Sequence, residues 1–242
     1  MSEHKSLLNK IKTLSVIGVT VAGCWLTQTT KILALPLEVI VQKLQPIPVF
    51  TIADAQGAPL IASTEDNNKI AGVFISKQDA NSFVERLKKD NPDLGKQVQV
   101  VPISLAEIYK LAEKNGQQQD AVQFAYVPSN QQIQQAQQLN DKYQGGVPLF
   151  VAKAGDDQGY LTIKQNDQEV IPFFFDKQQV QQLVDSFKQA QPDLAKSVQI
   201  EVVILEGMLE ALKQGNDEML NRIILWPSTE SIDFIRANTP QK

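Results

Sequence analysis

The sequence predicts an α+β protein built as two pseudo-two-fold-related repeats, each a mixed β-sheet with packed helices. Three observations predict it. The chain repeats itself at an offset of 100 residues: Ile47-Pro48-Val49-Phe50 returns as Val147-Pro148-Leu149-Phe150, and Asn91-Pro92-Asp93-Leu94 as Gln191-Pro192-Asp193-Leu194. Val98-Gln99-Val100 likewise returns as Val198-Gln199-Ile200, and the offset slips to 99 only where Pro128-Ser129 matches Pro227-Ser228. Repetition over this length sets the architecture before any motif is read. Within each repeat, short apolar runs bounded by turn residues alternate with stretches of helical period. Finally, the apolar stripes of corresponding helices match residue for residue. The predicted organisation is a signal peptide over 1–34, an N-terminal helix over 35–46, a first lobe over 47–144 and a second over 145–242.

Lys5, Lys10 and Lys12 precede a short apolar run from Leu14 to Leu26, and Ala34 offers a processing point. The run is well below the ~20 residues a membrane-spanning helix needs, so the segment reads as a secretory signal. Two alternatives stand beside cleavage. One is an uncleaved anchor. The other is lipidation at Cys24, because Val21-Ala22-Gly23-Cys24 fits the pattern before a lipid-modified cysteine.

Leu35 to Gln45 follows as a helix, with Pro36 suited to its first position and Leu37, Ile40, Val41 and Leu44 forming one apolar stripe. Each repeat then opens with a strand at 48–53 or 148–154. A turn at Asp54-Ala55-Gln56-Gly57 or Gly155-Asp156-Asp157-Gln158-Gly159 leads to a second strand, near 59–62 or 160–163, and makes a hairpin. A third strand covers 70–75 or 170–175. Ser76 and Asp176 are N-cap residues for the next helices, where Ala80, Phe83, Val84 and Leu87 correspond to Val180, Leu183, Val184 and Phe187. Pro92 and Pro192 close those helices. The fourth strand, 98–103 or 198–204, enters a helix that begins in the first repeat with the capping box Ser104-Leu105-Ala106-Glu107. Leu105, Ile108, Tyr109 and Ala112 match Leu205, Met208, Leu209 and Leu212. A last strand, 122–127 or 223–226, precedes a closing helix. In the first repeat that helix is rich in glutamine, Gln131 to Gln138, and is expected to be exposed. Gln144-Gly145-Gly146 links the halves.

The chemistry the chain can carry is bounded by what it lacks. His4 is the only histidine and Cys24 the only cysteine, so a mature chain cleaved near Ala34 has neither. That leaves no thiolate or imidazole for a nucleophilic triad or for the usual zinc, copper and iron sites. Cleavage also moves the net charge from −4 to −7. An acidic chain without a basic run is a poor nucleic-acid binder and gains nothing from an anionic membrane surface. The expectation is no cofactor, no nucleic acid and no stable membrane insertion. Asp156-Asp157 lacks the alternation of a calcium loop and reads as a solvated turn. No carboxylate pair stands out for acid–base work, and the expectation is a protein that is not an enzyme. Pro148 sits where thioredoxin-like folds carry a cis proline, but an ordinary trans bond is at least as well supported. The aromatic residues are the candidates that remain. Alternation must send Phe173, Phe174 and Phe175 to both faces of a sheet, while Tyr126 and Trp226 end strands. Tyr126, Phe173 and Trp226 are the candidate client-binding residues, lining an apolar groove between the lobes.

The mature chain resembles one family along almost its full length. The likeness is carried by Ile47-Pro48-Val49-Phe50-Thr51-Ile52 with Asp54-Ala55-Gln56-Gly57-Ala58-Pro59-Leu60, and by Ala71-Gly72-Val73-Phe74-Ile75-Ser76. It continues through Gly146-Val147-Pro148-Leu149-Phe150-Val151, Gly159-Tyr160-Leu161-Thr162 and Ile171-Pro172-Phe173-Phe174-Phe175. The sequence is similar to the cyanobacterial form of the twenty-two-kilodalton subunit family of the chloroplast inner-envelope translocon. That resemblance implies a two-winged, pseudo-symmetric fold with apolar pockets and an address in the periplasm, extending also to the thylakoid lumen. It implies an ATP-independent, chaperone-like role in protein translocation and outer-membrane biogenesis. The implied partners are unfolded or precursor proteins and an outer-membrane β-barrel assembly protein. It carries over no catalytic residue. A small-molecule-binding module and a non-chaperone adaptor of the barrel assembly machinery are the competing readings.

Overall fold

The computed structural model describes residues 14–16, 34–66, 68–116, 121–154, 159–193, 195–215 and 217–238. Cys24, the Ala34 cleavage motif upstream of Ala34, and the Gly155-Asp156-Asp157-Gln158 turn lie outside these residues.

The first half supplies α1 (Leu37–Leu44), β2 (Pro48–Asp54), β3 (Ile61–Ser63), β4 (Lys69–Phe74), α2 (Lys77–Asp90), the short α3 (Pro92–Gly95), β5 (Val98–Ser104), α4 (Leu105–Asn115), β6 (Val122–Val127) and α5 (Asn130–Leu139). The second supplies β7 (Pro148–Ala154), β8 (Gly159–Gln165), β9 (Gln168–Phe174), α6 (Lys177–Ala190), β10 (Gln199–Ile204), α7 (Leu205–Gln214), β11 (Ile223–Trp226) and α8 (Thr229–Asn238). A further strand, β1 (Leu14–Val16), pairs antiparallel with β8. The predicted elements are present with boundaries shifted by one or two residues, the ordinary scatter at element ends. Pro36 precedes α1 as its cap rather than opening it.

The local rules that predicted these elements are visible as hydrogen bonds. The Ser76 hydroxyl accepts the Asp79 N–H at 3.1 Å, and the Asp176 carboxylate accepts the Gln178 N–H at 2.9 Å. The Ser104 hydroxyl accepts the Glu107 N–H at 3.1 Å. Asn91 ends α2 and caps α3 with its side chain, so Pro92 both stops one helix and begins another. All described peptide bonds are trans, that before Pro148 included.

The two sheets have the same strand order. In the first, β5, β2, β4 and β6 lie side by side, with β3 sharing the β2 edge of β4. In the second, β10, β7, β9 and β11 do the same, with β8 joining β7 and β9. Each sheet is antiparallel except for its last pair, β4 with β6 and β9 with β11. Phe50 stands opposite Phe74, and Phe150 opposite Phe174.

Both faces of each sheet are apolar, so each needs two covers. A central core joins the halves. It gathers Val49 and Val73 from the first sheet, Leu149, Ile171 and Phe173 from the second, and the apolar stripes of α1, α4 and α7. The far face of the first sheet is covered by α2, through Ala80 and Val84. The far face of the second is covered by α6, through Val180, Leu183, Val184 and Phe187.

The closing helices change sides. α5 ends the first half but packs on β7 and β10 of the second, where Ala136 is fully buried. α8 ends the second half but packs on β2 of the first, its Phe234 ring meeting Phe50 edge-on at 5.3 Å. The expectation that α5 is exposed is therefore corrected: Gln132 and Ala136 are both buried. The Gln132 amide oxygen accepts the Lys177 N–H at 3.1 Å. It is a side-chain cap for α6, which a glutamine supplies and an apolar residue cannot. Glu230 on α8 accepts the Gln78 N–H of α2 at 2.8 Å in the same way.

The matched stripes are unequally buried. Phe187 is fully buried, whereas its counterpart Leu87, and Phe83 beside it, are only half-buried. Phe187→Ala is expected to lower the unfolding free energy by roughly 3–5 kcal/mol, the range for emptying an aromatic site in a packed core. Phe83→Ala is expected to cost distinctly less. Urea unfolding of the two variants checks the order; equal losses would contradict the packing described.

Candidate client-binding surface

The seam between the halves is where the aromatic and polar residues converge. Gly145 and Gly146 in the link have φ of +129° and +83°, values that favour glycine. A Cβ on Gly146 would stand 3.0 Å from Oε2 of Glu206. Glu206 lies in the first turn of α7, and its carboxylate accepts the Val147 N–H at 3.1 Å. The Tyr143 hydroxyl donates to the Gly146 carbonyl. Across the seam, Lys213 on α7 pairs with Glu113 on α4 at 2.8 Å. These two residues are 100 positions apart in the sequence, the offset of the repeat itself. From α1, the Lys43 ammonium donates to the carbonyls of Asn221 and Ile223, each at 2.8 Å; burial holds its pKa below the usual lysine value.

Tyr126 belongs to this seam. It lies near the end of β6, half-buried against the central core. Burial, with Glu206 and Tyr109 beside it, pushes its hydroxyl up to about 12. Phe173 does not reach the surface. It is 2% exposed, within the central core and 5.9 Å from the Tyr160 ring. The alternation read from the sequence explains this: Phe173 and Phe175 point into the central core, Phe174 into the outer core of the second sheet. Trp226 ends β11 and packs half-buried against that outer core, its ring 5.8 Å from Phe174. The three candidates therefore do not share one surface. Tyr126 and Phe173 face the central core, and Trp226 faces the opposite side of the second sheet.

The expected apolar groove between the lobes is also corrected, because the central core fills that space. Two open grooves among the described residues are lined mainly by polar and charged residues. One, of about 580 Å³, lies along α2 and α8 between Lys77, Arg86, Lys89 and Glu230. The other, of about 430 Å³, is flanked by Glu169 and Arg222. Among the described residues, no three His, Cys, Asp or Glu side chains gather as a metal would require, and no helix is long and apolar enough to cross a membrane. Among the described residues, five large apolar ones are exposed: Leu37, Ile61, Leu111, Leu139 and Ile204. They stand on five different elements. Sequence reasoning missed the tethers Lys43, Gln132 and Glu230. It also missed the Lys213–Glu113 pair, although the equal offset of its members was a usable signal.

The model of the Tic22-like family matches residues 4–237 of the chain. Protein TIC 22, chloroplastic, of Arabidopsis thaliana is 23% identical over 183 residues, covering 74% of this chain. The chain spans 63% of that protein's length. Among solved structures, Anabaena Tic22, a protein of protein transport, matches with a TM-score of 0.75 and 27% identity over 86% of this chain and all of its own. Tic22 from Plasmodium falciparum matches with a TM-score of 0.67 and 21% identity over 83% of this chain and 99% of its own, a likeness of fold.

The seam makes stability depend on pH. A Tyr126 hydroxyl raised from 10 to about 12 in the folded chain contributes stability that is complete below pH 10. That contribution is lost as pH rises through 12. Unfolding free energies measured across this window should fall more steeply for the wild type than for Tyr126→Phe. Parallel slopes would show that Tyr126 is not held as described.

Proposed function

The chain belongs to the Tic22-like family, and from that premise we propose that it is a periplasmic, ATP-independent, chaperone-like factor in protein translocation and outer-membrane biogenesis. The observation that carries this reading is the likeness of nearly the whole fold to Anabaena Tic22, a protein-transport protein. The proposed partners are unfolded or precursor polypeptides and an outer-membrane β-barrel assembly protein. The proposed chemistry is binding rather than catalysis. The sequence has no phosphate-binding Gly-Lys-Ser or Gly-Lys-Thr loop, in keeping with action that needs no nucleotide.

The two halves are proposed to be related by a pseudo-two-fold axis. Their common strand order supports this, as do the equal bonds of 2.8 Å from Leu105 to Ile47 and from Leu205 to Val147. So does the pairing of Lys213 with Glu113, since equivalent positions meet where an isologous contact crosses its axis.

Two measurements test these proposals. The mature protein, at stoichiometric ratio and without ATP, should suppress aggregation of a urea-unfolded outer-membrane barrel protein on dilution. Absence of protection, combined with selective capture of one folded barrel-assembly protein, would transfer the assignment to the adaptor. For the address, mass spectrometry of the native protein should find a periplasmic form beginning near Leu35. An intact Met1 on cytosolic protein would defeat export, and a lipid on Cys24 would select the lipoprotein alternative.

A further inference from the structure

At equivalent edges the two sheets differ by a proline. Among the described residues, β5 pairs only with β2, and β10 only with β7. The bonds from the Leu105 N–H to Ile47 and from the Leu205 N–H to Val147, both 2.8 Å, fix which residues face the partner strand. In an antiparallel pair, bonded and non-bonded positions alternate. With Ile103 opposite Val49 and Val203 opposite Leu149, the inward positions are Ile103 and Val101 on β5, and Val203 and Glu201 on β10. The outward positions are Val100, Pro102 and Ser104 on β5, and Ile200, Val202 and Ile204 on β10. At the centre of the β5 edge stands a proline, which has no N–H to offer. Proline in this place is a recognised way of blunting an edge. The equivalent residue on β10 is Val202. Among the described residues, no backbone hydrogen bond reaches the outer side of β10.

The side chains of that edge are apolar and unfinished. Ile200 and Val202 are half-buried against the outer core, Val203 is half-buried against the central core, and Ile204 is 41% exposed. Glu201 is the one charge on the strand. It is held inboard by Lys153 of β7 at 2.8 Å, so it does not bar the edge.

We propose that the outer edge of β10 is the client seat, taking an extended polypeptide as an added strand. The occupant is an extended segment in which apolar residues alternate with polar ones. Its backbone completes the Ile200–Ile204 ladder, and its apolar residues lie beside Val202. This is strand addition, in which main-chain bonds supply affinity and alternate side chains supply selectivity. The inference rests on the client-binding reading and names the surface and the partner's chemistry.

The molecule supplies its own control. Val202→Pro copies Pro102, and the Val202 N–H makes no bond to β7, so the variant should keep its circular dichroism spectrum and melting temperature. The probe is a short fluorescein-labelled peptide alternating valine with lysine, titrated into the mature protein by fluorescence anisotropy. The expected result is saturable binding by the wild type and a loss of roughly tenfold or more in Val202→Pro, about one net backbone hydrogen bond plus the clash of the ring. The same peptide N-methylated on alternate residues should bind the wild type as weakly. If Val202→Pro is folded and binds as well as the wild type, or the N-methylated peptide binds equally, the seat is elsewhere. The client-binding reading then survives. If the wild type neither binds the peptide nor protects the unfolded barrel protein, both fall. If sedimentation shows a wild-type dimer and a Val202→Pro monomer with unchanged peptide binding, the edge belongs to a second copy and the inference is overturned.

Discussion

Each sheet of this fold has two apolar faces, and neither half of the chain carries enough helix to cover both of its own. The remaining structure follows from that shortage. The inner faces are covered by each other, through a shared core that draws on both sheets and on α1, α4 and α7. The outer faces each take one helix from their own half and one from the other. Separating the halves would strip the central core and also remove Ala136 and Phe234 from the sheets they cover. At about 25 cal/mol for each Å² of apolar surface returned to water, such losses exceed the marginal stability of ordinary domains. The two halves form a single folding unit.

The polar contacts at the seam fix orientation more than they add energy. Lys213–Glu113 is a surface pair, half-exposed on the lysine side, and such pairs contribute little. Gln132 and Glu230 act differently. Each gives one further N–H at a helix N-terminus a partner from the opposite half, beside the caps Ser76 and Asp176; the Lys177 N–H is part-buried, where an unpaired donor is costly. The crossing helices are thus held in register by bonds that an alternative packing would break.

What the sequence made legible was local. Helix caps, proline stops and the alternation of Phe173, Phe174 and Phe175 are set by neighbours in the chain, and the structure shows them at their predicted places. The exchange of α5 and α8 is not local. α5 reads as a polar helix because one buried alanine and one buried glutamine suffice when the helix lies over the flank of a sheet. Composition cannot reveal that its covering partner lies in the other half. The candidate site was legible only in part for the same reason. Aromatic residues at strand ends are found easily, but Phe173 faces a core whose second wall comes from a different repeat. The contrast between Pro102 and Val202 was present in the aligned repeats. It acquires meaning only when hydrogen-bond parity shows that both positions face outward.

On the proposed relation between the halves, the difference between Pro102 and Val202 gives a physical route from symmetry to direction. A protein with two equal open edges would risk pairing with itself or being bridged by one long chain. Blunting the β5 edge with a proline leaves the equivalent edge of β10 as the proposed seat. Binding through such a seat is limited by its small number of backbone bonds, each worth about 1 kcal/mol net in water, and by the entropy of ordering an extended chain. Affinities of that kind fall roughly in the micromolar range or weaker. They imply fast release, since variation in affinity among related complexes lies mainly in the off-rate. On the proposed reading, a carrier working without a nucleotide cycle needs that combination, because its client leaves by mass action when a better partner for the same strand is offered. A growing β-sheet is such a partner: it satisfies the same backbone groups on both edges, where β10 satisfies them on one.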